Sequence, residues 1–116
     1  MHKFFSASAI AVCVLLTGCH SHWVAATITN HSGANISVLE LDYPSASFGT
    51  TTLRDGAHFD YRFKIQGSAP LKLTYTDAKG HDHQYAGPVL NEGQEGSLAV
   101  TIEASSVTWQ PRLTAN

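Results

Sequence analysis

Residues 77–83 read Asp-Ala-Lys-Gly-His-Asp-His, and they bring two imidazoles and two carboxylates into one short stretch. Side chains two apart on an extended strand leave the same face, so His81 and His83 share a side. If Ala78, Lys79 and Gly80 form a tight loop, Asp77 lies across from His81 on the other strand and its side chain joins them. Two imidazoles and a carboxylate so placed could converge on Zn²⁺ or Cu²⁺, which take such donors at about 2.0–2.2 Å. The same register sets His83 opposite Tyr75 and in phase with Tyr85, where an imidazole caps the edge of a core instead. The spacing thus carries two readings: a metal site of Asp77, His81 and His83, or a solvated hairpin tip with one histidine tucked in and no cofactor.

The other polar clusters point to less. His20 and His22 form a second His-x-His, which joins the hairpin pair only if the fold brings both to one end. His31 at a turn and His58 on a polar strand face read as solvated, although His58 shares its face with Asp60. The hydroxyl-rich run Tyr43–Leu53 holds no Gly-x-Ser-x-Gly, and no histidine or acid stands at a telling distance from Ser45 or Ser47. Gly49 stands alone without a following Lys-Ser/Thr, so the run is not a phosphate loop. It reads as an irregular connection with Phe48 turned into the core. These absences favour a non-catalytic protein.

The elements that must position these residues have a period of two. Ala57, Phe59, Tyr61, Phe63 and Ile65 alternate with His58, Asp60, Arg62 and Lys64, the pattern of a half-buried strand, here expected to be a central one with its aromatic residues on the inward face. Leu71, Leu73 and Tyr75 repeat it, as do Leu98, Val100 and Ile102. Val24, Ala26 and Ile28 make a first strand, and Val107, Trp109 and Leu113 a last one. In Ile36–Tyr43 the phase slips, which predicts a β-bulge near Val38 and Leu39 that brings Ile36, Val38, Leu39, Leu41 and Tyr43 inward. Asn-His-Ser-Gly at 30–33 and Asp-Ala-Lys-Gly at 77–80 suit type I turns in hairpins. No segment has helical spacing. The expected fold is all-β, an antiparallel sandwich of about seven or eight strands, immunoglobulin-like or fibronectin-like, without the Cys…Trp…Cys hallmark of antibody domains.

The N-terminal residues supply an address. Met1–Lys3 is basic and Phe4–Leu16 apolar or small, which makes the first two regions of an export signal. The run falls short of the ~20 apolar residues that span a bilayer. It closes on Leu16-Thr17-Gly18-Cys19, which resembles the lipobox of bacterial lipoproteins; ordinary secretion with cleavage near Gly18 is the alternative. The resemblance implies cleavage before Cys19, a diacylglyceryl thioether on its sulfur and acylation of the freed amine. It divides the chain into a signal peptide at 1–18, a lipidated tether at 19–22 and a β-sandwich domain at 23–116. Two or three acyl chains at about 0.8 kcal/mol per buried CH₂ make a permanent membrane anchor. With His20 rather than Asp after the cysteine, the resemblance further implies the outer membrane, facing the periplasm, or the outer face of the cytoplasmic membrane in a cell with one membrane. From Tyr-Pro-Ser-Ala-Ser-Phe-Gly at 43–49 to Gly-Pro-Val-Leu at 87–90 and beyond, the order of runs is also loosely similar to small, uncharacterised β-rich bacterial lipoproteins, a likeness that brings no functional residues.

Composition is consistent with that address. Seven Lys/Arg less Lys3 leaves six against nine Asp/Glu, so the exported chain is mildly acidic and nucleic acid is an unsuitable partner. Cys13 leaves with the signal and lipidation occupies Cys19, so no internal disulfide is expected and the domain must stand on its core. Between Cys19 and Trp23 an extended chain reaches only about 14 Å, which holds the domain close to the headgroups. The expected function is a membrane-anchored, non-catalytic binding or structural accessory of the cell envelope, with an envelope protein or polysaccharide as partner. The alternative is an extracytoplasmic Zn/Cu-binding protein.

Overall fold

Alternating apolar and polar residues form strands only where a second layer covers the apolar side, and here each of two sheets covers the other. A computed structural model describes residues 22–115. Its strands are β1 (Val24–Asn30), β2 (Ile36–Tyr43), β3 (Ala46–Leu53), β4 (His58–Phe63), β5 (Ala69–Thr76), β6 (Asp82–Leu90), β7 (Glu95–Ile102) and β8 (Val107–Thr114). One sheet has the order β4-β1-β7-β8 and the other β3-β2-β5-β6, so the expected sandwich forms, with eight strands among the described residues. All pairings are antiparallel except β1 with β7, which run side by side in the same direction. Between the sheets lie Val24, Ala26, Ile28, Leu98, Val100 and Ile102 from one layer and Ile36, Leu39, Leu41, Leu71, Leu73 and Leu90 from the other.

The bulge in β2 is present, with one difference. Ser37 pairs with Thr76 but Glu40 with Thr74, so β2 carries one extra residue against β5. Val38 takes up the kink at φ 50°, a conformation that β-branched residues rarely adopt. Ile36, Leu39 and Leu41 all point inward as expected, but Val38 is thrown out to solvent at 68% exposure. An extra residue restores the phase of its neighbours only by taking none of its own.

The run after Tyr43 is a strand rather than an irregular connection. β3 pairs with β2 in one register, from Tyr43 opposite Ala46 to Ile36 opposite Leu53, skipping only Val38, and so follows it through the kink. Phe48 and Leu53 are therefore both buried although they stand five positions apart, an offset that puts them on opposite faces of a regular strand. Gly49 sits against this bend: a Cβ there would collide with the Leu39 carbonyl oxygen.

The placement of β4 also differs from expectation. Its aromatic face does point inward, but β4 is an edge strand, bonded only to β1. Phe63 is buried, whereas Tyr61 remains 41% exposed at the rim. The rings close the open side of the sandwich by stacking on the other sheet, Tyr61 on Phe48 at 4.3 Å and Phe63 on Tyr43 at 4.2 Å between centroids. Alternation reports one wet and one dry face, and an edge strand satisfies it as well as a central one.

The Asn30–Gly33 stretch is a corner between sheets, not a hairpin turn. It leads from β1 into β2 of the opposite layer, and it turns around the side chain of Asn30, which is fully buried. The Asn30 Nδ2 donates to the carbonyls of Ala34 (2.8 Å) and Leu53 (3.0 Å). Its Oδ1 accepts from the Ser32 amide (3.0 Å) and hydroxyl (2.7 Å).

Candidate functional site

The β5–β6 hairpin forms as the spacing predicts. Gly80 N–H donates to the Asp77 carbonyl at 3.0 Å, and Asp77 N–H to the His81 carbonyl at 2.8 Å. Gly80 has φ 85°, which lets the chain return into β6 in register. Oδ1 of Asp77 caps the loop by accepting from the Lys79 and His81 amides, both at 2.9 Å. His83 then faces Tyr75 across the ladder.

Asp77, His81 and His83 are brought together, and the geometry is unequal. His83 Nε2 lies 2.8 Å from Asp77 Oδ2, whereas His81 Nδ1 is 3.8 Å from the same oxygen. Against an ionised carboxylate the His83 Nε2–H is the donor. Two tyrosines buttress the imidazole: its ring stacks on Tyr75 at 4.9 Å and 17°, and lies nearly parallel to Tyr85 at 6.4 Å and 3°. His81 is 74% exposed and has no such support.

The electrostatics follow from these bonds. The hydrogen bond from His83, with those from the His81 and Lys79 amides, holds the Asp77 carboxyl down at about 2 against an ordinary 3.8. Burial, with a hydrogen bond to Tyr85, pushes the Tyr75 phenol up to about 12. A depressed carboxyl pKa stabilises the fold where the group is ionised in both states, and that contribution is lost as pH falls from 3.8 through about 2. Asp77→Asn should therefore flatten the acid limb: the urea midpoint of the wild type falls over this window by more than that of the variant. Equal slopes for the two would show that the hairpin hydrogen bonds add nothing to stability.

For a metal, these donors form a hydrogen-bonded pair with a third group nearby. Two ligands of a tetrahedral Zn²⁺ at about 2.0–2.1 Å stand about 3.3 Å apart, so an ion here would have to break the 2.8 Å contact and draw His81 in. Among the described residues, no group of three or more His, Cys, Asp or Glu side chains is arranged to hold an ion. His22 is no fourth ligand. It lies at the start of β1, 3.6 Å from Glu95, whereas the hairpin lies beyond the other end of that strand, about 23 Å away at ~3.3 Å per residue. His58 pairs with Asp60 on the outer face of β4 at 3.5 Å, as their shared parity suggests. Cys19 and His20 lie outside the described residues.

Beside the hairpin is an open hollow of about 400 Å³, walled by Ser32, Asn35, Ile36, Asp77, Lys79 and His83 among others. Sequence reasoning missed this neighbourhood because Ser32 and Asn35 reach it through the Asn30 corner, which reads locally as a hairpin turn. The corner's signal was an Asn two residues before a Ser, the pattern of a side chain bonding its own backbone. Asp77 could orient His83 as a base, but the nearby hydroxyl of Ser32 is committed to Asn30 Oδ1 at 2.7 Å and the Ala34 carbonyl at 3.0 Å. The hollow therefore offers hydrogen-bonding groups and a cation, Lys79, to a ligand.

No protein-family model matches the chain, and no curated protein matches it. Its fold is similar to that in the NMR structure of a protein from Eubacterium rectale, with a TM-score of 0.61 and 14% identity over 78% of this chain and 88% of that one. At this identity the likeness speaks to the fold alone.

Proposed function

We propose that the protein is a lipid-anchored lipoprotein of the cell envelope whose sandwich is a non-catalytic binding or structural accessory. The observation that carries this reading is the junction of signal and domain: the Leu16-Thr17-Gly18-Cys19 motif ends only five residues before β1 opens at Val24. A domain joined so tightly to an anchor stands on the membrane by the end at which β1 starts. The hairpin and its hollow then face away from the bilayer, toward a protein or polysaccharide of the envelope. The commitment of the Ser32 hydroxyl to the Asn30 corner supports binding over catalysis. By the lipobox resemblance, with His20 after the cysteine, the domain faces the periplasm from the outer membrane, or lies outside the cytoplasmic membrane where there is no second one.

Metabolic labelling with palmitate tests the anchor. Cys19→Ser should abolish the label and leave an uncleaved precursor, while Cys13→Ser keeps both label and processing. Persistent label on the Cys19 variant refutes the reading. The convergence of His81 and His83 on one oxygen of Asp77 favours a second reading, extracytoplasmic Zn²⁺ or Cu²⁺ binding. A titration that finds no binding at micromolar metal removes it.

A further inference from the structure

The tether end of the sandwich presents a group that the hairpin site does not use. Trp23, one residue ahead of β1, is 40% exposed. The guanidinium carbon of Arg62 and the ammonium of Lys64 each lie 4.9 Å from the centroid of its ring. Both cations are exposed, two apart on the outer face of β4 and just beyond it. Among the described residues neither has a carboxylate partner. A third cation, Arg112, lies in the same outward row, since Arg62 is opposite Ala25, Ala25 beside Ser97, and Ser97 opposite Arg112. The acids at this end are engaged: Glu95 lies 3.6 Å from His22, and Glu92 accepts from the Gly67 amide at 2.8 Å.

Asp60, two residues before Arg62 on the same face, is turned to the Thr27 hydroxyl at 2.8 Å and to His58 at 3.5 Å. Two like charges held over one exposed indole, with no carboxylate in contact among the described residues, make a site for an anion beside an apolar edge. Indole rings favour the headgroup level of a bilayer, and each Lys or Arg near an anionic surface contributes about a fivefold gain in binding. The reach from Cys19 to Trp23, at most about 14 Å, is comparable with the range over which such attraction acts in physiological salt, about 8 Å. We propose that Trp23, Arg62 and Lys64 dock the domain on anionic phospholipid headgroups of the bilayer that carries the anchor, fixing its orientation with the hairpin outward. This rests on the anchored reading above.

The test imposes the anchor chemically, so that a failure of the lipobox cannot pass for a failure of the patch. Every strand and core residue among the described residues lies between Val24 and Thr114, so the chain from Cys19 onward contains them all, and a cooperative urea transition first establishes that it folds. It is coupled through the Cys19 thiol to a maleimide lipid in vesicles carrying headgroup-proximal quenchers, and Trp23 emission is taken as the difference from Trp23→Phe. Docking predicts strong quenching in phosphatidylglycerol vesicles at about 0.01 M salt, little in phosphatidylcholine vesicles, and relief at about 1 M salt. Arg62→Gln and Lys64→Gln should each lower the docked-to-free ratio about fivefold. Equal emission in both vesicle types, indifference to the two variants, or quenching that tracks protein density rather than lipid charge, as contact between copies would give, overturns the proposal. Absence of palmitate label from the wild-type chain would overturn the anchored reading separately.

Discussion

Phe63→Ala is expected to lower the unfolding free energy by about 3–5 kcal/mol, whereas Arg62→Ala, one residue earlier, should change it by less than about 1 kcal/mol. Phe63 ends β4 opposite Val24 and is only 2% exposed. Its ring stacks on Tyr43 and lies 5.7 Å from Phe48, so it spans both sheets at the side where β3 and β4 meet as edges. Truncation removes buried aromatic surface and leaves a cavity that the paired backbones cannot collapse to fill. With typical domain stability at about 5–15 kcal/mol, that is a large share of the whole. Arg62 points the other way into solvent, and its contact with Trp23 is of the exposed cation–π kind, about 0.5–1 kcal/mol. Urea melts of both variants decide the matter. A loss at Arg62 as large as that at Phe63 would mean that the outer face of β4 is covered in the native protein.

The contrast between these neighbours is what the sequence made legible. Strict alternation from Ala57 to Ile65 gives the direction of every side chain in β4, because the strand period is two and a wet face opposite a dry one forces it. The same rule located the strands that became β1, β5, β7 and β8 and flagged the bulge in β2. It did not show β3, since Phe48 and Leu53 are out of phase and the intervening residues are Gly and Thr. Their phase error belongs to the partner strand, where Val38 bends, and a single strand read alone carries no information about its neighbour's kink. Nor does alternation separate an edge from a centre, which is why β4 looked central.

At the site, local spacing was enough for local geometry. The tight loop, Asp77 across from His81, and His83 opposite Tyr75 all follow from a register of two strands joined by a few residues, and the structure has each of them. What spacing could not give was which contact wins. His83 takes Asp77 Oδ2 because Tyr75 and Tyr85 hold its ring, and that support depends on the depth of the hairpin in the sandwich. The hollow beside it was illegible for another reason. Its walls come from the Ser32–Ile36 corner and the hairpin, which are far apart in sequence and meet only once β2 pairs with β5.

Asn30 should prove the most sensitive polar residue in the protein: Asn30→Ala is expected to lose about 3–4 kcal/mol, and Asn30→Asp more than that at neutral pH. The side chain is 0% exposed, and its four hydrogen bonds join two segments: its own corner at Ser32 and Ala34, and the end of β3 at Leu53. The backbone continues the junction, with Asn30 N–H donating to the Ala57 carbonyl at 2.9 Å and the Gly56 N–H to the Asn30 carbonyl at 2.7 Å. Alanine takes the side-chain donor from the buried Leu53 carbonyl and leaves the Ala34 carbonyl to the Ser32 hydroxyl, and an unsatisfied buried group costs about 1–3 kcal/mol. A carboxylate is worse, since it has no N–H and sets a charge against two carbonyl oxygens. Its neutral form donates one bond, so the folded state raises its pKa above the unfolded value of about 3.9. The sign is then opposite to that of Asp77: the group is tolerated below the unfolded pKa, and stability is lost as pH rises through the folded one. Melts of wild type, Asn30→Ala and Asn30→Asp at about pH 7 and about pH 4 check this, with the alanine deficit constant and the aspartate deficit shrinking in acid. If the aspartate variant matches wild type at neutral pH, the corner is open to water and Asn30 is not the buried tie between the two sheets.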